Sequence, residues 1–478
     1  MRITLIAPPL MDYHGGTLTP IAMDAVRSCP PYGIYLLATI LRNHGHEVII
    51  IDLIAQGSNE LSHHAGLIMS SHLVGIGTTS LAWPTARTCI DQVRRYHPRV
   101  PIVLGGIHAT MFDTYLLAST SADYCIRGEG DKALPLLCET LEIGGDLARV
   151  PNLTVMGGDG RIRRTPTAPL MSETEMAALP IPDYGCLHPG IYPSLGIESS
   201  RGCPFDCVFC STAYRKTWRG LSPAEFVRRV ERLTGYLSLT TQGIIQIIDD
   251  EFSVKQERAV EIFRGFREKR LPVQAIFSSR ANDMLNGAFV ESALPYAHQF
   301  LVGAECGYDE GLKKAGKGTT TENITKAAAL LKEYGIAGRA DFSFIIGLPW
   351  ETRAEVMQTV DFAAGLYETY GVRVLIQWYC QIPGSRLWEE QRRKEVLHEA
   401  LYDDFGFFGS NYLFRSGIPL APSEVHEVTR HILDLQAQAP PDMIQSCTPE
   451  PILKYYPDIA HSPEVSALEN LRDASGIP

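Results

Sequence analysis

Two alternating rhythms of apolar residues run along the chain. Short β-branched runs of roughly four to eight residues alternate with longer stretches that place an apolar residue every third or fourth position. Over the first 145 residues this reads RITLIAPP, HEVIIID, LVGIGTTS, PIVLGGIHAT and ADYCIRGEG as strands with their following loops. YGIYLLATILRNHG, TARTCIDQVRRYHP and ALPLLCETLE read as helices. The alternation predicts a small doubly wound α/β domain over 1–145, with ligand loops at the strand C-termini. Residues 146–190, with LPIPDYG and HPGIYPS at and just beyond their end, are proline-rich and read as a linker. The rhythm resumes over 191–395. GIESS, GIIQIIDDEF, VQAIFSSR, HQFLVGAEC, RADFSFIIGLPWE and VRVLIQWYCQIPGS are predicted strands. PAEFVRRVERLTGYL, QERAVEIFRGFREKR, TENITKAAALLKEYG and RAEVMQTVDFAAGLYETYG are predicted helices, the first with Ser222 as N-cap and Pro223 at its first position. Residues 396–478 read as a small, mainly helical region containing EVHEVTRHILDL.

Composition narrows the class. The chain has 478 residues, 45% of them hydrophobic and 20% charged, which excludes a disordered or fibrous protein. With 43 basic and 54 acidic residues the net charge is -11, which disfavours nucleic acid and anionic membrane as partners. No apolar run reaches about 18 residues, so no transmembrane helix is expected. MRITLIAPPL reads as a first strand and not as a signal peptide. A cytoplasmic location is predicted, where cysteines stay reduced.

Of the eleven cysteines, eight are scattered and read as small buried hydrophobes. The other three, Cys203, Cys207 and Cys210, form a CxxxCxxC array in SSRGCPFDCVFCST. A structural zinc site wants four ligands, usually as two pairs, and the chain has no second CxxC pair. Three thiolates in one loop suit a [4Fe–4S] cluster with one iron left open for a substrate or cofactor.

This array, with the aromatic Phe209 before its last cysteine, resembles the signature of the radical S-adenosylmethionine (radical SAM) superfamily. The resemblance implies a partial barrel of six βα repeats with its chemistry at the strand C-termini. It implies Cys203, Cys207 and Cys210 as catalytic cluster ligands and Phe209 beside the nucleoside of S-adenosylmethionine. The acidic trio Asp249, Asp250 and Glu251 stands where the superfamily binds the amino group. Arg280 ends the third strand, and Glu305 ends the fourth in GAECG, which is similar to a family stretch that has Ser where Cys306 stands. Gly347 and Pro349, in FIIGLPWET with Leu348 and Glu351, are similar to the fifth-strand adenine-binding region. CQIPGSRLW is similar to the sixth-strand element, with Ser385 for Thr.

The N-terminal domain resembles the cobalamin-binding domain that precedes the barrel in one large radical SAM subfamily. The likeness rests on PPYG at 30–33, GTTS at 77–80, LGGIHAT at 104–110 and RGEGD at 127–131, where Asp131 replaces the usual Glu. It implies Thr78, Thr79, Ser80, Gly105, Gly106, His108, Gly128, Glu129 and Gly130 as cobalamin contacts. RGEGDKA also fits GxGxxA, but it follows the last strand of the unit and lacks the downstream acid of a dinucleotide site. MDYHGGT is one residue from the D-x-H-x-x-G of histidine-ligated cobalamin domains, with Thr17 in place of glycine. The subfamily generally lacks that ligand, so His14 is not the expected cobalt ligand. Leu81 or Trp83 falls near the lower corrin face, and Trp83 is a candidate to cover it. HEVTRH is not HExxH, which removes a zincin reading.

Together the two modules imply an enzyme using a [4Fe–4S] cluster, S-adenosylmethionine and cobalamin. Its expected reaction moves a methyl from S-adenosylmethionine via methylcobalamin to an unactivated carbon of a small molecule or peptide, after a 5′-deoxyadenosyl radical abstracts the hydrogen. An external one-electron reductant such as flavodoxin or ferredoxin is the implied partner. Ring contraction or oxidative cyclisation by the same cofactors is equally compatible with these residues. A cobalamin-binding sensor with an inert barrel is disfavoured by the intact cysteine array. A methylthiotransferase is disfavoured because Cys29, Cys89, Cys125 and Cys138 are too widely spaced for a second cluster. Trp378, Tyr379 and Cys380 are candidates for a substrate wall.

Overall fold

A computed structural model describes residues 1–14, 17–20, 28–394, 397–404 and 418–446. The chain forms two compact units. The first comprises Met1–Ile197, Gly235–Gly243 and a segment starting at His398; the second comprises Glu198–Thr234, Ile244–Leu397 and later residues.

The first unit is organised by a seven-stranded sheet. Its order is Glu47–Asp52, Arg2–Ala7, Leu73–Gly77, Ile102–Gly105, Tyr124–Ile126, Leu153–Met156 and Ile162–Arg164. The first five strands are parallel, as the alternation predicts. Sequence order reverses between Arg2–Ala7 and Leu73–Gly77, so the loop after Gly77 lies at a topological switch point, where such sheets open a ligand crevice. Helices Tyr32–Asn43 and Ala133–Glu142 lay Ala38, Leu41, Leu134 and Leu137 on Ile3, Leu5, Val103 and Leu153.

Two regions of this unit differ from the sequence reading. Ile107–Ser119 is a helix where a loop was expected. Its buried face carries His108 and Asp113 among the apolar side chains, so the polar residues break the stripe that would have announced it. Residues 146–190 are also not a free linker. They hold the last two strands, which pair antiparallel, and the helix Glu173–Ala178 with a Ser172–Glu175 capping box. The buried Asp113 carboxylate fixes the hairpin by accepting two bonds from Arg164, at 2.8 and 2.6 Å, and one from Thr154.

The second sheet runs Ser194–Ile197, Ile244–Ile247, Ala275–Arg280, Ala297–Glu305, Ala340–Ile346, Arg373–Trp378 and Ile444–Ser446. The unit boundary falls just after its first strand. From Ile244–Ile247 onward every pairing is parallel. Strand order follows chain order, as repeated βα units require. Helices Pro223–Leu233, Gln256–Glu268, Thr321–Glu333 and Arg353–Tyr370 connect the strands, close to their predicted spans. Ser222 caps the first by accepting from Glu225 N, and a left-handed Gly371 ends the last. Phe263, Phe277 and Phe289 pack edge-on and tilted between the helices and the sheet.

The region 396–478 is not purely helical. Pro422–Gln438 is the expected helix, but Ile444–Ser446 adds a strand to the edge of the second sheet. Three residues are too few to show a period, so the pattern could not announce it. The segment CTPEPILKYYP lies outside the described residues.

Candidate functional site

In the second unit the cysteine loop is held open by its backbone. Ser200–Arg201 pairs antiparallel with Arg219–Gly220 at its base. Gly202 adopts a φ of +81°, and a Cβ there would stand 2.4 Å from the Thr217 carbonyl oxygen, so only glycine fits. Cys203 N donates to Tyr214 O at 3.3 Å, Cys210 N to Cys207 O at 3.2 Å and Val208 N to Ala315 O at 3.1 Å.

All three thiols are free. Burial pushes Cys203 up to about 11, with nearby Glu251 adding to the effect, and raises Cys210 in the same way. Thiols in such surroundings become thiolates only when a cation compensates them. Among the described residues no three His, Cys, Asp or Glu side chains converge on a single metal ion. As a donor set on one loop the three thiols fit a [4Fe–4S] cluster, in which each thiolate takes its own iron.

The acidic trio divides into three environments. Asp249 is buried and accepts four bonds, from Ser199 N (2.7 Å), Ser199 Oγ (2.5 Å), Ser200 N (3.0 Å) and Ser200 Oγ (2.6 Å). It ties the end of the second strand to the root of the cysteine loop and has little capacity left for a ligand. Asp250 is exposed and accepts from Thr212 Oγ1 at 2.8 Å. Glu251 is buried, accepts from Ser253 Oγ at 2.6 Å, and is pushed up to about 7 by desolvation. Phe209 is half-buried on the loop.

Glu305 holds a φ of +72°, rare for a residue with a side chain, where the pairing with Ala340–Ile346 slips register. Strain of this kind at a strand end marks a position the surrounding structure enforces. Its carboxylate receives the Lys317 ammonium at 2.8 Å, and both side chains are about nine-tenths buried. Desolvation is the largest single influence and lowers Lys317, but the Glu305 charge and hydrogen bond together with the nearby Cys207 raise the ammonium overall. A Cβ on Gly303 would strike Lys317 Nζ at 2.4 Å, so that glycine makes room for the pair. Arg280 is buried, with its guanidinium 3.6 Å from the centre of the Phe205 ring. Sequence reasoning missed Lys317 and Phe205. The available signal was Gly316-Lys317-Gly318, a cation between two glycines that both take positive φ.

Just past the fifth strand Gly347 is left-handed, and a Cβ there would stand 2.9 Å from the Trp378 ring. Pro349 is half-buried. Glu351 is enclosed, accepts from Leu348 N at 2.8 Å and Tyr308 Oη at 3.1 Å, and is pushed up to about 7 by burial. Cys306 is fully enclosed. Trp378 and Tyr379 are buried and Cys380 is half-buried.

In the first unit the loops after the parallel strands interlock through backbone. Thr78 is buried; its hydroxyl donates to Gly105 O at 2.8 Å and accepts from Ala109 N at 3.1 Å. A Cβ on Gly106, at φ +99°, would sit 2.4 Å from Thr78 O, whereas one on Gly105 would meet nothing. Thr79 is exposed and Ser80 is buried. Gly128 N donates to Thr110 Oγ1 at 2.8 Å, Glu129 accepts from Met171 N at 2.7 Å, and Gly130 is half-buried.

Trp83 and His108 differ from their assigned roles as corrin contacts. Both are 0% exposed and stack on each other at 4.9 Å. Trp83 Nε1 donates to Asp403 at 2.6 Å, and His108 Nδ1 bonds Ser80 Oγ at 3.0 Å. Desolvation lowers His108 to about 3. These rings pack the interior of the unit, while Thr79 and Leu81, the latter 48% exposed, are open side chains of that loop. The side chains of Asp12 and His14 lie outside the described residues.

A doubly wound unit with glycine-built ligand loops, followed by a βα unit with a three-thiol loop, defines a two-cofactor enzyme class. Comparison with known proteins agrees. The B12 binding domain family matches residues 19–138, and the radical SAM superfamily matches residues 197–363. An uncharacterized methyltransferase of Pyrococcus horikoshii is 32% identical over 403 residues, covering 81% of this chain and 83% of the relative. The anaerobic magnesium-protoporphyrin IX monomethyl ester cyclase of Rubrivivax gelatinosus is 26% identical, covering 76% of this chain and 65% of the relative. The solved structure of the radical S-adenosylmethionine methyltransferase TsrM from Kitasatospora setae, with cobalamin and a [4Fe–4S] cluster bound, shares the fold. It has a TM-score of 0.67 and 17% identity, with 99% of each chain covered.

The chain belongs to the cobalamin-dependent radical SAM enzymes, most like their methyltransferases. Its cofactors are cobalamin, a [4Fe–4S] cluster and S-adenosylmethionine. Among the described residues no helix is long and apolar enough to cross a membrane.

Proposed function

We propose that this enzyme transfers a methyl group from S-adenosylmethionine to an unactivated carbon of a small molecule or peptide. When bound, the cofactors supply a methyl carrier and a one-electron cleavage that generates a hydrogen-abstracting radical. The observation that carries the reading is the 32% identical relative, an uncharacterized methyltransferase that aligns with 81% of this chain. The residues support it chemically. Cys203, Cys207 and Cys210 would hold the cluster and leave one iron for the methionine part of S-adenosylmethionine. That zwitterion needs an anion for its ammonium and a cation for its carboxylate. Glu305, Lys317 and Arg280 offer both signs, and Glu251 and Asp250 add acceptors beside the thiol loop. Gly347 and Pro349 would border the adenine. In the first unit Thr78, Gly105, Gly106, Gly128 and Glu129 would form the loops around cobalamin. Their glycines permit close approach of a large ligand to backbone.

S-adenosylmethionine carrying a deuterated methyl group, incubated with reconstituted enzyme, dithionite and fractionated small-molecule extract, tests the proposal. A product that gains the labelled methyl supports it. A product formed with 5′-deoxyadenosine but without the label would replace it by ring contraction or cyclisation.

A further inference from the structure

Strand register divides the sheet of the second unit into two faces. Ile245, Phe277, Val302, Phe342 and Val374 share one face and are buried. The other face carries Gln246, Ser278, Leu301, Ser343, Ile345 and Gln377, all half-buried. Trp378 alternates onto the covered face and is buried, so its strand presents the Gln377 amide and not the indole.

Four of these residues are polar and stand on four different strands: Gln246, Ser278, Ser343 and Gln377. None of the four side chains has a hydrogen-bond partner among the described residues. Gln246 Oε1 is in addition enclosed, an acceptor shut away from water without a donor. Such an atom is destabilising until something pairs with it.

The charges on this sheet are compensated or already assigned. Among residues 244–247, 275–280, 297–305, 340–346 and 373–378 the only Asp, Glu, Lys and Arg are Arg280, Glu305, Asp341 and Arg373. At the foot of the open face Asp341 accepts from Gln299 and lies 2.9 Å from Arg373 Nε. Glu305 holds Lys317, and Arg280 stacks on Phe205. Glu305, Lys317 and Arg280 are the groups given above to the methionine part of S-adenosylmethionine. A further ligand on this face therefore meets amides and hydroxyls set beside Leu301 and Ile345, and no spare charge.

We propose that this face binds the methyl-accepting substrate, and that the substrate is an uncharged molecule bearing amide, lactam or hydroxyl groups on an apolar frame. The inference deepens the methyltransferase reading and rests on it. A glutamine amide presents donors and an acceptor side by side, so it pairs with a ligand amide or hydroxyl in both directions. A carboxylate or phosphate held here would leave water with no free cation to compensate it, and an ammonium would find no free carboxylate.

The test uses reconstituted full-length enzyme, dithionite and S-adenosylmethionine carrying a deuterated methyl group. The probe is small-molecule extract passed through a mixed bed of strong-acid and strong-base resin, which retains ions and zwitterions. The neutral flow-through stimulates 5′-deoxyadenosine formation and gives the labelled product, and the retained material does neither. Gln246→Leu and Gln377→Leu each raise the half-saturating amount of the neutral fraction roughly tenfold. Gln246→Asn, which keeps the amide, falls between them and wild type. Iron content and melting temperature report whether each variant has folded, and the sorting by charge is read on wild type alone. The proposal is overturned if the stimulating material is retained by the resin, if no fraction stimulates, or if both folded leucine variants saturate like wild type. Neutral material that stimulates 5′-deoxyadenosine formation but yields product without the label contradicts methyl transfer instead, and leaves the substrate class standing.

Discussion

On the proposed reading, the two units build their ligand sites by opposite means. In the second unit the site is made of side chains: three free thiols, the buried Glu305–Lys317 pair and Arg280 on Phe205. In the first unit it is made of backbone, with Thr78, Gly106 and Gly128 arranging loops whose neighbouring large side chains, Trp83 and His108, face inward. A charged, compact ligand is recognised by charge and geometry. A broad corrin is accommodated by leaving surface free of side chains. The difference teaches where substitutions act: on cofactor chemistry in the second unit, and on loop shape and packing in the first.

The largest expected effect separates the two sites. Cys203→Ala should abolish the cluster, read as loss of iron and of its visible absorbance. Cobalamin binding, followed by equilibrium dialysis, should persist. Loss of both would mean that the sites are not independent.

Next come packing and the buried ion pair. Trp83→Ala removes a fully enclosed ring from the first unit and should lower its stability by about 3–5 kcal/mol, seen in thermal melting. Were Trp83 a cofactor contact instead, the mutation would change the cobalt spectrum with little change in melting. Lys317→Met leaves Glu305 charged and buried without its partner, with a cost of about 3–5 kcal/mol locally. It should also weaken S-adenosylmethionine binding, measured by isothermal titration, while the cluster remains.

The smallest effect is one of pH, and it runs in opposite directions in the two units. His108 is held near 3 by desolvation, below its ordinary 6.5. Unfolded chain therefore takes up a proton that the folded unit refuses as pH falls below 6.5, and the first unit should lose about 2 kcal/mol by pH 5. Glu351 is held near 7, above its ordinary 4.5. Its stabilising contribution is complete below 4.5 and is lost as pH rises through 7, on the order of 3 kcal/mol in the second unit. His108→Gln and Glu351→Gln should flatten the acid and alkaline limbs of the melting profile respectively.

The same contrast governs what the sequence could reveal. The strands and helices of the second unit follow clean apolar periods with visible caps, such as Ser222 and Gly371, and were legible. The cysteine spacing was legible because a chemical requirement fixes it. Lys317 was not, because its role depends on the Gly303 cleft and the register slip at Glu305, which arise only on folding. Helix Ile107–Ser119 was missed because buried His108 and Asp113 interrupt its apolar face. The hairpin at 153–164 was missed because its anchor, the bond from Arg164 to Asp113, spans 51 positions. Trp83 was assigned to the corrin from its place in the loop, and only the structure shows its indole turned inward onto Asp403.

The most direct test of the account is the cofactor stoichiometry of one anaerobically reconstituted sample, by iron, sulfide and cobalamin analysis. The account predicts one [4Fe–4S] cluster and one cobalamin per chain, present together. A chain that binds either cofactor only by excluding the other, or that holds a cluster but no cobalamin, would contradict it.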